Sequence, residues 1–271
     1  MARTKYIYIL SQRYSGSTLL SFLLGTHPDI ATIGERRKFY THSFEQNQEY
    51  DQTCSCGKLF KECEHWNAIK QRVLEKVDID KYKTNPTEFK LFANKHLHKL
   101  AFELMKFCAL NQLPNPFTAK IKRLNKFNQI LVEEIMKLSD GKLFLDSSKS
   151  LDQCFFLSQM KEIDLHVVWL TRDPRAQVNS AMKYNKWSVE EASNRWKSEM
   201  TENGKLLKKM KVNYTKLNYE LLCRRPEAEM GRLLESIGID TSSFSLNFRE
   251  KTQHIMGNFN MRLGSETKIE E

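Results

Sequence analysis

The chain has 271 residues, with 43 Lys and Arg against 33 Asp and Glu, a formal net charge of +10. At 28% charged and 40% hydrophobic residues its composition is that of a folded globular protein and excludes a disordered one. Its longest apolar run falls far short of the ~20 residues a membrane span needs, and the positive charge asks for an anionic partner: nucleic acid, anionic lipid or a phosphate-rich small molecule.

The basic start Met1-Ala2-Arg3-Thr4-Lys5 is followed only by a strand-length apolar run, residues 6–10. That pattern is not an export signal, so a cytoplasmic location is expected. Residues 5–10 (KYIYIL) predict a buried strand. A Ser/Gly-rich turn over 11–17 leads into a predicted helix, 18–24, closed by Gly25 and Pro28. Strand, small-residue loop and helix form the opening unit of an α/β fold. Residues 36–66 read as irregular and polar. Residues 67–140 read as mostly helical, in two blocks parted at Pro114 and Pro116, and carry 14 Lys and Arg against 8 Asp and Glu.

The α/β rhythm then returns. Residues 142–146 (KLFLD) and 165–170 (LHVVWL) predict strands joined by a helix over 151–160. This spacing implies a parallel sheet. A long helix over 188–210 opens with the capping box of Ser188 and Glu191. A strand over 212–217 and a helix over 226–237, started by Pro226 and stopped by Gly238, complete the pattern.

Ser15-Gly16-Ser17-Thr18 stands between strand and helix, where backbone N–H groups and a helix N-terminus converge on an anion. A loop of the form GxxxxGK[ST] would have Gly at 11 and Lys at 17. Ser11 and Ser17 stand there instead, so the usual clamp on the β- and γ-phosphates of ATP is missing. The competing reading is a plain Ser-rich turn capping the helix. Residues 171–180 (TRDPRAQVNS) follow another strand on the same edge of the sheet, where ligands bind. Arg172 can meet a phosphate there with its planar fork, and Ser180 adds a hydroxyl. Alternatively, Arg172 and Asp173 form a surface pair of little worth.

Four stretches in this order make the chain resemble the sulfotransferases that use 3′-phosphoadenosine 5′-phosphosulfate (PAPS), in their bacterial-type branch. They are SQRYSGSTLLSFLLGTHPDI with Gly34-Glu35, LDSSK (145–149), LTRDPRAQVNS (170–180), and Asn218-Tyr219-Glu220-Leu221 followed by Pro226. The resemblance covers about residues 5–265. It implies a P-loop-like three-layer α/β fold, with a central parallel sheet flanked by helices. The whole chain, 1–271, would be a single domain, and 67–140 a helical insertion near the acceptor. PAPS would be the co-substrate. Arg13, Ser15, Gly16, Ser17 and Thr18 would hold the 5′-phosphosulfate, Arg172 and Ser180 the 3′-phosphate, and Tyr219 would lie near the base. Relatives often carry Arg directly before the Ser-Gly pair; here Tyr14 stands there and Arg13 is one place earlier.

The reaction so implied is an in-line sulfuryl transfer to a hydroxyl or amine of a small-molecule, lipid or glycan acceptor. It needs a base for the acceptor's proton and a cation for the leaving oxygen. Lys149, after a strand end, is the expected cation, against the reading of a solvated surface lysine. Glu35 matches the base of some sulfotransferases; on residues alone it equally suits an ion pair with Arg36, Arg37 or Lys38. His27 reads as fixing its turn and His42 as a reserve base.

Cys54, Cys56, Cys63 and His65 are potential zinc ligands at an unusual spacing. Relatives carry similar Cys-x-Cys-Gly…Cys…Trp segments, usually without the His. The readings are a zinc site and a structural Cys-rich turn near the acceptor pocket, and no metal is assigned. Cys108, Cys154 and Cys223 read as small core residues. Two functions compete with sulfuryl transfer. One is a divergent P-loop kinase. The other is a non-catalytic polyanion-binding module, for which the basic segment offers no recognisable nucleic-acid motif, so no nucleic-acid partner is expected.

Overall fold

The computed structural model describes residues 3–45, 52–82, 84–92, 94–105 and 115–264. Cys108 and Pro114 lie outside them. Among the described residues the sheet has five parallel strands: β1 (Thr4–Ser11), β2 (Ile30–Thr32), β3 (Leu143–Lys149), β4 (Ile163–Thr171) and β5 (Asn213–Asn218). Their order is β2-β3-β1-β4-β5. From β1 the chain first builds one side of the sheet and then crosses to the other. The carboxyl ends of β1, β3 and β4 therefore frame the crevice at the switch point, the usual ligand position of an open α/β sheet.

Side-chain alternation along β1 splits the interior into two cores. Tyr6, Tyr8 and Leu10 join one, with Phe144 of β3 and Val167 of β4. Ile7 and Ile9 join the other, with Leu145 and Val168. Both faces are covered, which is why these strands read as continuous apolar runs.

Helices α1 (Ser17–Leu24) and α10 (Pro226–Ile237) pack on the second core, with Leu20, Leu23, Leu233 and Leu234 buried. The first core takes residues of α2 (Phe39–Phe44), α3 (Glu64–Leu74), α4 (Lys95–Met105), α5 (Asn115–Ser139) and α6 (Leu151–Ser158). Helices α7 (Pro174–Asn185), α8 (Val189–Met210), α9 (Tyr219–Arg224) and α11 (Phe259–Leu263) complete the chain. The expected caps form: Ser188 Oγ accepts from Glu191 N at the start of α8, and Gly238 ends α10 in the left-handed region. Cys154 is buried in the first core, and Cys223 is half-buried.

Two expectations change. The stretch 36–66 is not wholly irregular; it holds a 3-10 turn at Arg36–Lys38, α2 and the start of α3. The helical segment is interrupted over 75–94, where among the described residues only a 3-10 turn at Ile79–Lys81 is regular. The second helical block does begin at the expected prolines: Pro116 sits in the first turn of α5, where its missing N–H costs nothing.

A charged node holds the layers together. Arg36 is fully buried and its Nε meets Asp146 Oδ2 at 2.9 Å. The guanidinium also donates to Thr87 O, Asn128 Oδ1 and Gln153 Oε1. Tyr6 donates its hydroxyl to the same Asp146 oxygen at 2.9 Å. Asp146 Oδ1 accepts from the backbone N–H and hydroxyl of Ser148. A buried ion pair survives only when its remaining polar atoms are satisfied, and this one links six segments in doing so.

Candidate active site

A cleft of about 1160 Å³ opens at the carboxyl edge of the sheet. Every site residue expected from sequence lines it: Arg13, Ser15, Gly16, Ser17, Thr18, Glu35, Lys149, Arg172, Ser180 and Tyr219.

The loop between β1 and α1 is held from within. Ser15 Oγ donates to Gln12 O at 2.7 Å, and Gln177 Nε2 donates to Arg13 O at 3.0 Å. The Trp196 indole N–H in turn fixes Gln177 Oε1 at 2.9 Å. Gly16 has φ 87° and caps α1 with no side-chain hydrogen bond to the helix. The first turn of α1 contains no acidic residue. Its leading N–H groups have no partner within the helix and carry the positive end of the dipole. A Cβ at Gly16 would lie 2.2 Å from the Tyr219 ring, so only glycine combines this backbone conformation with that contact.

Arg172, just past β4, donates from Nη1 to Tyr14 O at 2.7 Å, and its guanidinium lies 4.6 Å from the Tyr219 ring centroid. Its Nε is buried with no hydrogen-bond partner among the described residues. The surface-pair reading fails, because Asp173 instead caps α7 and pairs with Arg175 at 2.6 Å. Burial, then Cys223, pushes the Tyr219 hydroxyl up to about 12, so it stays protonated. Ser180 is half-buried and donates to Ala176 O at 2.9 Å. Arg13 is exposed on the rim; Tyr14, in the position relatives give to Arg, bonds Asn185 Oδ1 through its hydroxyl.

Glu35 and Lys149 meet each other, with Glu35 Oε1 2.5 Å from Lys149 Nζ. Lys149 ends β3 with φ 68°, which turns it off the strand line. Gly34, φ 76°, turns Glu35 inward; a Cβ there would lie 2.0 Å from Met256 O. Of the three cations after Glu35, Arg37 approaches its other oxygen at 3.9 Å, whereas Arg36 points away into the Asp146 node. Burial pulls the Glu35 pKa up, but Lys149, Arg37 and Lys38 outweigh it and hold the carboxyl below its ordinary 4.5. Glu35 is therefore ionised throughout the neutral range, and its basicity depends on how firmly Lys149 stays beside it.

The reserve base is poorly suited. His42 is buried against Phe60 and outside the cleft lining, and burial, then Lys38, holds it down at about 4. His27 fixes its turn, bridging Asp240 O and Asp29 N.

Sequence reasoning missed the C-terminal wall. Glu35 N donates to Met256 O at 3.1 Å, and Asn258 N donates to Thr18 Oγ1 at 2.9 Å. Residues 256–258 thus lie between the phosphate loop and Glu35. No signal near the chain end encodes this; the contact spans over two hundred residues. The opposite wall comes from α7 and α8, with Tyr184, Arg195 and Trp196. His65 is likewise not the nearest histidine nitrogen to the cysteines. The atom that joins Cys54, Cys56 and Cys63 belongs to His254, and His65 stacks on its ring.

An uncapped helix N-terminus, a half-buried guanidinium and a carboxylate–ammonium pair converge on one cleft, groups that together can accommodate an anion. The sequence matches the sulfotransferase family over residues 7–243, and the chain belongs to that family. Among curated proteins, none matches this chain. The sulfotransferase domain of the olefin synthase of Synechococcus PCC 7002 is similar in fold, with a TM-score of 0.50 at 18% identity, over 99% of this chain and 85% of that one. The sulfotransferase domain from the curacin biosynthetic pathway has a TM-score of 0.51 at 13% identity, over 100% and 89%. No helix among the described residues is long and apolar enough to cross a membrane.

Proposed function

We propose that this sulfotransferase takes its sulfuryl group from PAPS and passes it to a hydroxyl or amine of a small-molecule, lipid or glycan acceptor. The observation that carries the reading is the convergence of the uncapped α1 N-terminus, Arg172 and the Glu35–Lys149 pair on one cleft. The residues fit the donor chemically: α1 offers N–H groups to a 5′-phosphosulfate, and Arg172 keeps a buried, unpartnered Nε for a 3′-phosphate. Ser15, Gly16, Ser17 and Thr18 would line the first site, with Arg13 at its rim. Ser180 would add its hydroxyl to the second, and Tyr219 would flank the base.

In this reading Lys149 turns from Glu35 to the bridging oxygen, which frees the carboxylate. Glu35 accepts the acceptor's proton as the acceptor oxygen or nitrogen bonds to sulfur. Lys149 stabilises the oxygen that departs as the sulfur–oxygen bond breaks, leaving adenosine 3′,5′-bisphosphate. The single-domain reading of 1–271 stays with the proposal, and residues 67–140 would shape the acceptor side. Among the described residues none of that segment lines the cleft. Its influence would run through Arg36, held by Thr87 O and Asn128, between the two cleft residues Glu35 and Arg37. A cytoplasmic setting suits the free thiols of Cys54, Cys56 and Cys63.

Transfer of radiolabelled sulfur from PAPS to a panel of phenol, glycan and lipid acceptors tests the reading. Wild type should label at least one class, and Glu35→Gln should lose the labelling about 10²–10⁴-fold while still binding the bisphosphate. Transfer of a labelled γ-phosphoryl group from Mg-ATP instead would mean a kinase.

A further inference from the structure

Three segments distant in sequence meet behind the C-terminal wall. Cys54 and Cys56 lie on a tight turn closed by Cys54 N to Lys58 O at 2.8 Å and Gly57 N to Cys54 O at 2.9 Å. Gly57 has φ 85°, the left-handed conformation such a turn needs. Cys63 caps the N-terminus of α3. His254 arrives on the segment that leads into the cleft wall. Ser55 locks turn and segment together: its hydroxyl donates to Gln253 O at 2.5 Å and accepts from Ile255 N at 2.7 Å.

We propose that Cys54, Cys56, Cys63 and His254 form a structural zinc site that fastens the C-terminal segment to the body of the enzyme. Their ligand atoms all lie within 4.8 Å of one another. Cys56 Sγ is 3.8 Å from Cys63 Sγ, and His254 Nδ1 is 3.2 Å from Cys63 Sγ and 3.7 Å from Cys54 Sγ. A tetrahedron built with zinc–sulfur and zinc–nitrogen bonds of about 2.3 and 2.1 Å has edges of about 3.8 Å between sulfurs and about 3.6 Å from sulfur to nitrogen. The cluster is thus already near the size of a single-ion site. Three thiolates and a neutral imidazole are a soft, four-ligand set suited to zinc, and they leave no open position for catalysis.

His65 completes the arrangement without being a ligand. Its ring lies parallel to that of His254, centroids 4.5 Å apart and 7° between planes. It therefore sets the tilt of the ligand ring, as outer groups do around metal sites. Binding Zn²⁺ would release the protons of whichever thiols are still protonated, and three thiolates leave the filled site with one net negative charge. No electrons move.

The consequence lies two residues further along. Met256, two residues after His254, accepts from Glu35 N and donates its own N–H to Ile33 O at 2.8 Å, and Asn258 meets Thr18. The metal would hold in register the strip that touches both the base and the phosphate loop, without touching either reactant.

The test uses full-length protein purified without a metal column or chelator. Elemental analysis should find about one zinc per chain after exhaustive dialysis. Cobalt-replaced protein should show the visible bands and sulfur-to-metal charge transfer of a tetrahedral thiolate site. His254→Ala should lose most of the zinc and His65→Ala should keep most of it. Wild-type protein that purifies and dialyses free of zinc, and gains no thiolate bands with cobalt, would overturn the proposal. So would a Cys56–Cys63 disulfide in the freshly isolated protein, or equal zinc in wild type and His254→Ala. The wild-type stoichiometry and cobalt spectrum decide the matter even if a cysteine variant fails to fold.

Discussion

Replacing Lys149 by Ala should lower kcat by about 10²–10³-fold while changing nucleotide affinity far less. The reason is the division of labour in the cleft. In the proposed reaction α1 and Arg172 hold the resting donor, and Lys149 meets the charge that develops on the leaving oxygen. Lys149 sits at the end of β3 with its Nζ already 2.5 Å from the carboxylate of Glu35. The same substitution has a second signature in pH. Glu35 is held below its ordinary 4.5 by Lys149, Arg37 and Lys38 against the upward pull of burial. In wild type, protonation of Glu35 should therefore limit kcat/KM only in acid, below 4.5. Removing Lys149 leaves burial less opposed, so the acid limb of the residual activity should move to higher pH. The stability linkage has the same sign: a depressed carboxyl contributes above its unfolded pKa and is lost as pH falls through the folded one. Pre-steady-state kinetics across pH measure both effects. A Lys149→Ala enzyme with wild-type kcat and an unmoved acid limb would remove this residue from the reaction.

Asp146→Ala should cost about 3–5 kcal/mol of stability, the usual penalty for leaving one partner of a buried ion pair alone. Arg36 and Asp146 are both wholly buried, and Tyr6 and Ser148 lose their acceptor with the carboxylate. Against a total stability of about 5–15 kcal/mol, this brings the chain close to unfolding at ambient temperature. Asp146→Asn separates the contributions, since it keeps the volume and an acceptor oxygen but removes the charge opposite Arg36. Urea denaturation should rank the midpoints wild type, then Asn, then Ala. A loss in the Ala variant below about 1 kcal/mol would mean that the node relaxes or admits water.

These two experiments touch residues that the sequence made unequally visible. The strands were legible because β1, β3 and β4 are covered on both faces and so appear as apolar runs. Strand β2 was not, because three residues, Ile30–Thr32, leave no pattern to count. The site followed from the strands: once a small-residue loop and an arginine each follow a strand in a parallel sheet, they must share an edge. Charge partners were a different matter. Glu35-Arg36-Arg37-Lys38 contains three cations, and nothing in the string says which one turns inward. The 3-10 turn over Arg36–Lys38 decides it, sending Arg36 to Asp146 and leaving Arg37 near Glu35.

In the sequence of α8, Val189, Ala192, Trp196, Met200, Leu207 and Met210 recur at spacings that put them on one helix face. Of these Ala192 and Leu207 are buried, while Val189 is exposed. Trp196 is instead spent on the cleft, where its indole holds Gln177 and its carbonyl accepts from Gln12. An aromatic in an apolar stripe reads the same whether it fills a core or braces a loop. His254 was illegible for a simpler reason: proximity in sequence favoured His65, and only the folded chain brings residue 254 to the cysteines.

Calorimetric titration with adenosine 3′,5′-bisphosphate, adenosine 5′-phosphate and Mg-ATP tests the central claim most directly. The bisphosphate should bind most tightly, and Arg172→Ala should erase its advantage over the monophosphate, because that advantage is the 3′-phosphate meeting this guanidinium. Equal affinity for the two adenosine phosphates in wild type, or preference for Mg-ATP over the bisphosphate, would contradict the assignment of the cleft to PAPS.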